Sequence, residues 1–386
     1  MIVKTAKLGQ FLGMNNRLPR HALQIPEKGR FVVDALGVDI DETGRLSRAD
    51  GSTSVTTLTT GRGLFCDGTR MLYADGASLY KIDTLSPFAA TAIDTVAAHA
   101  LAYEAINGEI FYTDGTKLSC LDATNTVRPV GVHVPASLSV ASAAGSLSAA
   151  SYQCTITYFN GVEEGGAYAS TGITLAATGG ITFTLPTPPT GVTHIGIYVS
   201  GPNGEVPLLH SIISPADSVT VTTEPTLRAC QTQHKGQMPA GDLLTHLPGY
   251  LLVATGNTIT YCDPYNFGLT TPAKNYLLFP ETVTVMIACE MGVYIVADKA
   301  YWLIGLGTEM MELIPVMTGG AIFGSQTAHP SAKQVYWLSE EGLIVADSQG
   351  QVKNLQESAM SLSLTGSSGA SIYVDGANPR VVTTNG

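Results

Sequence analysis

Short runs of alternating apolar and polar residues, each followed by a turn and a second such run, recur along most of this chain. Glycine and proline are abundant and few segments keep a 3.6-residue period, so long helices are not expected. Asp-Gly or Gly-Asn stands at several turns, which is a strong hairpin signal because these residues tolerate a positive φ. The pattern predicts seven hairpins, over residues 38–46, 71–80, 109–118, 251–261, 293–303, 335–346 and 371–376.

The turns of these hairpins lie about 33 to 44 residues apart, which is the period of a four-stranded propeller blade. One interval is longer: 141 residues separate Gly115 from Gly256. Removing an insertion of roughly 95 residues restores the regular spacing. Composition places this insertion at about Pro135 to Pro225. Its short strands, separated by Pro and Gly turns, favour an immunoglobulin- or fibronectin-like sandwich without the antibody disulfide, because Cys154 has no partner there.

The sequence therefore predicts an all-β fold: a β-propeller of about six to seven blades, interrupted by one inserted sandwich. The predicted organisation is an extended N-terminal docking arm over 1–29, a first propeller part over 30–134, the sandwich over 135–226 and a second propeller part over 227–386. A string of unrelated β-meanders is the alternative. The strands predicted inside the insertion are 152–158, 173–175, 181–185, 194–199 and 218–221.

Charge narrows the possible functions. Charged residues make up 13% of the 386 residues, and 31 acidic against 20 basic side chains give a net charge of −11. A nucleic-acid binder needs a basic face, which argues against that class. No run of about 18 apolar residues exists, so membrane insertion is not expected. The first twenty residues lack the apolar core of a signal peptide, and the six scattered cysteines are expected to be reduced and mostly buried.

The N-terminal arm is basic. Residues 1–29 contain five of the 20 basic residues, and Arg30 follows directly; the five are Lys4, Lys7, Arg17, Arg20 and Lys28. In a chain of net charge −11, a basic extended arm fits a strap that docks on an acidic neighbour. A frayed terminus is the alternative.

Catalytic motifs are missing: the sequence has no GxSxG, HExxH, GxxxxGK[ST] or strand-led GxGxxG. His99 is expected on a short helix or strand with a structural role, since a general base needs a positioned partner. The pairs Glu163-Glu164 and Glu340-Glu341 are interpreted as solvated turns, because adjacent strand residues point to opposite faces. No catalytic residue is assigned, and enzyme activity is not expected.

Three patterns are weakly similar to known sites. Cys230 and His234 lie four residues apart, but no second ligand pair accompanies them. The run Asp39–Gly44 lacks the spacing and terminal Glu of an EF-hand, and a hairpin tip explains it better. The run Asp347–Gly350 is similar to the Asp-box turn of sialidases without the aromatic residue after the glycine. No metal or cofactor is therefore expected.

Four stretches resemble bacteriophage virion proteins. Residues 11–19 followed by 33–51 pair a loose arm with a hairpin that reads valine, acidic residue, then Gly-Arg-Leu. Residues 241–254 and 279–284 are similar to the same group. The resemblance covers the propeller parts and not the insertion, and some members of the group resemble tail-nozzle, or packaged-DNA-stabilisation, proteins of short-tailed phages.

This resemblance implies a structural subunit of the virion tail, made in the host cytoplasm. It implies a homo-oligomeric ring, typically of six copies, below the portal and adaptor, and contacts with these and other tail proteins. Genome DNA would pass through the ring without specific binding, since an acidic wall repels phosphate. The main alternative is a carbohydrate- or protein-binding adhesion module, for which an aromatic pocket would have to use Trp302 and Trp337. A propeller hydrolase is a third possibility.

Overall fold

The computed structural model describes residues 10–34, 38–40, 43–48, 54–328, 333–339, 342–357, 368–375 and 378–385; of residues 39, 40 and 368–385 it describes the backbone only. This part of the chain contains strands, turns and one 3-10 helix at Arg20–Ala22, without any α-helix. The all-β prediction is confirmed. The chain forms two compact units, one of residues 1–59, 82–90 and 279–386, the other of residues 60–81 and 91–278.

The described part of the N-terminal arm is folded and not extended. Three strands, β1 (Phe11–Met14), β2 (Gln24–Ile25) and β3 (Gly29–Val32), form a sheet of order β1-β3-β2 in which β1 runs parallel to β3. The sequence pattern missed this sheet because its pairing is not that of a simple hairpin. Two further strands, β4 (Val38–Ile40) and β5 (Leu46–Arg48), form the first predicted hairpin.

Two four-stranded sheets follow along the chain. The first contains β6 (Arg62–Cys66), β7 (Met71–Asp75), β8 (Ser78–Leu85) and β9 (Phe88–Thr95) in that order. The second contains β10 (Ala102–Ile106), β11 (Glu109–Thr113), β12 (Leu118–Leu121) and β13 (Val127–Pro129). Each sheet orders its strands as they occur in the chain, so short turns connect all neighbours.

The insertion forms two sheets that share one hydrophobic core. Its strands are β14 (Ser139–Leu147), β15 (Ser151–Asn160), β16 (Glu163–Glu164), β17 (Thr171–Thr174), β18 (Gly179–Thr184), β19 (His194–Val199), β20 (Leu208–Ile213) and β21 (Ser218–Val221). One sheet has the order β14-β18-β21 and the other β16-β15-β19-β20, with β17 also paired to β15. Ile181 and Phe183 of the first sheet pack against Ile156 and Ile197 of the second.

After the insertion the four-stranded pattern resumes. Two short strands, β22 (Gly236–Gln237) and β26 (Leu269–Thr270), pair with each other beside a sheet of β23 (Leu243–Leu247), β24 (Tyr250–Thr255), β25 (Thr258–Tyr261) and β27 (Tyr276–Leu278). The first unit contains β28 (Val285–Cys289), β29 (Gly292–Val296), β30 (Lys299–Ile304) and β31 (Glu312–Thr318), then β32 (Thr327–Ala328), β33 (Gln334–Ser339), β34 (Gly342–Asp347) and β35 (Val352–Asn354). A final hairpin joins β36 (Ser368–Asp375) to β37 (Asn378–Asn385).

The sheets repeat at a regular interval. Their first strands begin 40 to 42 residues apart, except across the insertion, where the interval is 141; these strands begin at Arg62, Ala102, Leu243, Val285, Thr327 and Ser368. All seven predicted hairpins are paired neighbouring strands. The prediction of repeated four-stranded sheets is therefore confirmed.

Successive sheets within a unit share hydrophobic cores. Leu72 and Leu79 of the first sheet pack with Ile110 and Tyr112 of the second. On its other side, the second sheet packs against the sheet that follows the insertion, so the two sheets that flank the insertion are direct neighbours. Burying each large apolar side chain contributes roughly 1.5–3 kcal/mol.

Candidate functional site

The inserted sandwich is held against its two linkers by close backbone contact. A Cβ atom on Gly166 would lie 2.1 Å from the carbonyl oxygen of Lys235, and one on Gly165 would lie 2.8 Å from that of Val132. Lys235 and Val132 belong to the two linkers that lead out of and into the insertion. Only glycines allow this approach, so the sandwich is docked on its linkers and is not merely tethered by them.

Hydrogen bonds secure the same junction. The amide of Ala167 donates to the carbonyl of Thr232 at 3.0 Å. The side chain of Gln237 donates from Nε2 to the carbonyl of Val130 at 2.9 Å. These bonds connect the sandwich to one linker and the two linkers to each other.

Glu164 lies at the centre of a buried polar cluster in the sandwich. Its carboxylate accepts hydrogen bonds from Thr157 Oγ1 at 2.9 Å, from Arg228 Nη2 at 2.8 Å and from the hydroxyl of Tyr198. Only 9% of its side chain is exposed. Burial, together with the bond to Glu164, raises the pKa of Tyr198, and the same carboxylate raises that of Arg228.

The interpretation of Glu163-Glu164 as a solvated turn is wrong for Glu164, because the linker that carries Arg228 covers it. The two carboxylates do point apart, as expected of adjacent strand residues. Glu163 lies against Gly268, where a Cβ would be 2.8 Å from its Oε1. Alternation along the strand predicts that the two side chains point in opposite directions. It does not predict which part of the chain covers each of them. The other pair, Glu340-Glu341, lies outside the described residues.

Glu104 is a second buried carboxyl, which the sequence pattern did not predict. It lies on β10 against β23, where the backbone amide of His246 and the hydroxyl of Thr245 donate to it. Burial raises its pKa to about 8, and burial also lowers the pKa of His246. A signal was present, since Glu104 occupies the same strand face as the apolar Ala102 and Ile106.

His99 lies in the connection between β9 and β10, and therefore not on a helix or strand as expected. Its Nε2 is 3.6 Å from Asp242 Oδ1, and 47% of the side chain is exposed. Its backbone carbonyl accepts a hydrogen bond from Arg62 Nε at 2.9 Å. The same guanidinium also binds the carbonyls of Gly76 and Ala97, so it fastens the turn and the connection together.

Aspartates at the turns hold the incoming chain of their own sheet. Asp114 Oδ2 accepts the amide of Ala97, just before β10, at 2.9 Å, and Asp75 Oδ1 accepts that of Thr60, just before β6, at 2.7 Å. Burial alone would raise the pKa of Asp114, but its hydrogen bonds hold that pKa below the ordinary value. The carboxylate of Asp347 accepts the amides of its own turn, from Gln349 at 2.8 Å and from Gln351 at 3.0 Å.

The weak metal patterns are not assembled into a site. Cys230 Sγ is 3.7 Å from Thr232 Oγ1, and burial raises the pKa of the thiol. Among the described residues, no three His, Cys, Asp or Glu side chains are grouped so that they could hold a metal ion. None of the six cysteines forms a disulfide within the structure, and four of them are buried. The Asp39–Gly44 run forms part of the β4–β5 hairpin, with Asp41 and Glu42 outside the described residues.

Both tryptophans are core residues. Trp302 and Trp337 are 4% and 0% exposed, and Tyr294 packs against both, with ring centroids 4.3 Å and 5.6 Å away. Neither indole is available as a platform for a sugar.

A shallow, open pocket of about 370 Å³ lies beside Asp67 and Arg70. Arg70 is engaged by Asp67, by the carbonyl of Gly108 at 2.8 Å and by that of Asp122 at 3.1 Å.

Comparisons with known proteins give no family. No family model and no curated protein matches the chain. Among solved structures, it is similar to Kluyveromyces lactis Hsv2 (11% identity, TM-score 0.32, 83% of this chain and 88% of that one). It is also similar to the β-propeller domain of Cps50 (Swd1) from Myceliophteria thermophila (9% identity, TM-score 0.31, 79% and 86%). At these TM-scores the likenesses identify neither a family nor a function.

None of the helices within the described residues combines the length and apolar character needed to span a membrane.

Proposed function

We propose that this chain is a non-catalytic structural subunit of a bacteriophage tail, one copy of a nozzle ring through which the genome is retained and ejected. The observation that carries the proposal is that the polar clusters of the described residues serve the fold itself. Glu164 holds a linker, Asp114 holds a connection, and Arg62 and Arg70 fasten turns to backbone carbonyls.

The finer architecture belongs to the same proposal. We infer that the repeated sheets close into a propeller of six or seven blades, supported by their 40- to 42-residue spacing and their shared cores. The inserted domain is immunoglobulin- or fibronectin-like. In support, β16-β15-β19-β20 has the order C′-C-F-G of that fold, and β14 and β18 take the places of B and E.

Assignment to a phage tail rests on the resemblance of residues 11–19, 33–51, 241–254 and 279–284 to virion proteins. Charge supports it, because an acidic body repels phosphate and would let DNA pass without holding it. The adhesion alternative loses its aromatic platform, since Trp302 and Trp337 are buried.

Quantitative mass spectrometry of purified virions tests this function. The chain is expected in the particle at the copy number of one ring, six, in constant ratio to the portal protein. A chain that is missing from the washed particles, or present at hundreds of copies as a shell protein would be, contradicts the proposal.

A further inference from the structure

Three methionines are exposed together at one end of the sheet β28–β31. Met291 is 63% exposed, Met310 82% and Met311 40%. Met291 lies in the turn between β28 and β29, and the other two lie in the loop between β30 and β31. Gly292 pairs with Ile304, and Ile304 pairs with Glu312. The turn and the loop therefore project from the same end of the sheet.

Exposed glutamates accompany these methionines: Glu290, Glu309 and Glu312. Within the described residues, none of the three has a basic side chain within ion-pair distance. We name these six residues, 290, 291, 309, 310, 311 and 312, the methionine patch. Large exposed apolar groups mark interaction surfaces, and methionine adapts its shape to a partner. A suitable partner is apolar and basic.

The chain itself contains such a segment. Residues 1–30 have six basic and one acidic side chain, a net charge of +5, whereas residues 31–386 have 14 basic and 30 acidic, a net charge of −16. The first nine residues, MIVKTAKLG, combine five apolar side chains with Lys4 and Lys7 and contain no acid. Nine residues in extended conformation span about 30 Å at most.

We propose that residues 1–9 of one copy bind the methionine patch of a second copy. Lys4 and Lys7 pair with the glutamates of the patch, and the apolar side chains of the segment cover Met291, Met310 and Met311. The exposed Arg17, Arg20 and Lys28 steer the approach. The proposal rests on the proposed function only in that a ring supplies the second copy. Each copy would contribute one segment and one patch, which is the head-to-tail contact that closes a ring.

Isotope-resolved photo-crosslinking of full-length chains tests this contact. A photoreactive amino acid is placed at position 310, and natural-abundance and ¹⁵N-labelled chains are mixed before irradiation. Crosslinks from position 310 to residues 1–9 are expected, with light–heavy pairs among them. The control position is Val162, which is fully exposed at the tip of the β15–β16 hairpin and should give no such crosslink.

Charge reversal sharpens the test. Lys4→Glu with Lys7→Glu should lower the crosslink yield about tenfold, because two exposed charge pairs are lost. Glu309→Lys with Glu312→Lys in the partner copy should restore it, whereas the matched reversal Glu205→Lys with Glu281→Lys, at exposed acids elsewhere, should not. Glu205, Glu281, Glu309 and Glu312 are exposed, and circular dichroism checks that every variant keeps the fold.

Crosslinks only between chains of the same isotope would mean that the segment binds its own patch, and would overturn the proposal. So would crosslinks to other residues, or none. These results are independent of whether the chain occurs in virions, so a failure of the contact is distinguishable from a failure of the proposed function.

Discussion

Two buried carboxyl groups of this molecule differ in what the fold provides around them. Glu164 has the guanidinium of Arg228 at 2.8 Å and two hydroxyl donors. Among the described residues, the donors to Glu104 are neutral: the amide of His246 and the hydroxyl of Thr245. A buried carboxyl without a cation is more stable with its proton, which is why the pKa of Glu104 rises to about 8.

Glu104 should make the stability of the protein dependent on pH. Its pKa is about 8 in the folded chain and near the ordinary value of 4.5 in the unfolded chain, so the folded state binds the extra proton between these values. The stability it contributes is complete below pH 4.5 and is lost as the pH rises through 8. Glu104→Gln keeps a hydrogen-bond acceptor and removes the charge. The change in the free energy of unfolding that it causes should therefore be more favourable at pH 9 than at pH 4, by roughly 1–3 kcal/mol.

Urea unfolding of both proteins at pH 4, 6.5 and 9 measures this difference. Glu205→Gln, at an exposed acid, is the control and should show no comparable trend. A Glu104→Gln effect that is the same at all three pH values would contradict the burial account.

At the scale of elements, the hairpins could be predicted because their signals are local. Asp-Gly and Gly-Asn turns lie between alternating strands, and each predicted pair is present. Strand β14 was missed because its sequence, SVASAAGSL, consists of small residues without alternation. The N-terminal sheet was missed because β1 pairs in parallel with β3, although β2 lies between them in the sequence. The burial of Glu164 depends on a linker 64 residues away, which no local pattern contains.

The turn aspartates do more than form hairpins, because they also hold the incoming connection. Asp114→Ala removes the acceptor for the Ala97 amide and should destabilise the protein by about 1–2 kcal/mol. The pKa of Asp114 is lowered in the folded state, so its contribution is present above the unfolded-state pKa and is lost as the pH falls through the folded-state value. The difference between the two proteins should therefore shrink in acid.

Thermal unfolding at pH 7 and pH 3 measures the effect of Asp114→Ala. Asp122→Ala is the matched control, because the carboxylate of Asp122 accepts from Thr124 and Thr126 of its own turn and the substitution leaves the backbone carbonyl in place, so its effect should be smaller. Equal losses in the two variants would mean that the bond to Ala97 has no special role.

The junction of the sandwich depends on Gly166. Gly166→Ala would place a Cβ 2.1 Å from a backbone oxygen, which forces the junction apart and should cost more than about 2 kcal/mol. Gly201→Ala is the control, since a Cβ there has open space in the same domain, and its effect should stay within about 0.5 kcal/mol. Hydrogen exchange at the Ala167 amide and protease cleavage of residues 222–238 should both increase in Gly166→Ala alone. Unchanged exchange at Ala167 would mean that the sandwich is held elsewhere.

At the scale of the whole molecule, the uneven distribution of charge is the property that bears most on assembly. The first thirty residues have a net charge of +5 and the remainder −16. In the proposed ring, this distribution would favour contact between the first residues of one copy and the body of the next, and would disfavour binding of nucleic acid. High salt should weaken the association between copies, because exposed charge pairs are screened. This combination suits a ring around a DNA channel better than it suits an enzyme or a glycan receptor.

The location of the chain on phage particles shows whether it is a tail subunit. Gold-labelled antibody against the chain, applied to phage from the culture that supplied the sequence, can be located by electron microscopy. The account predicts label confined to the tail at a single vertex of each particle. Label missing from every particle, or spread over the capsid shell, would contradict it.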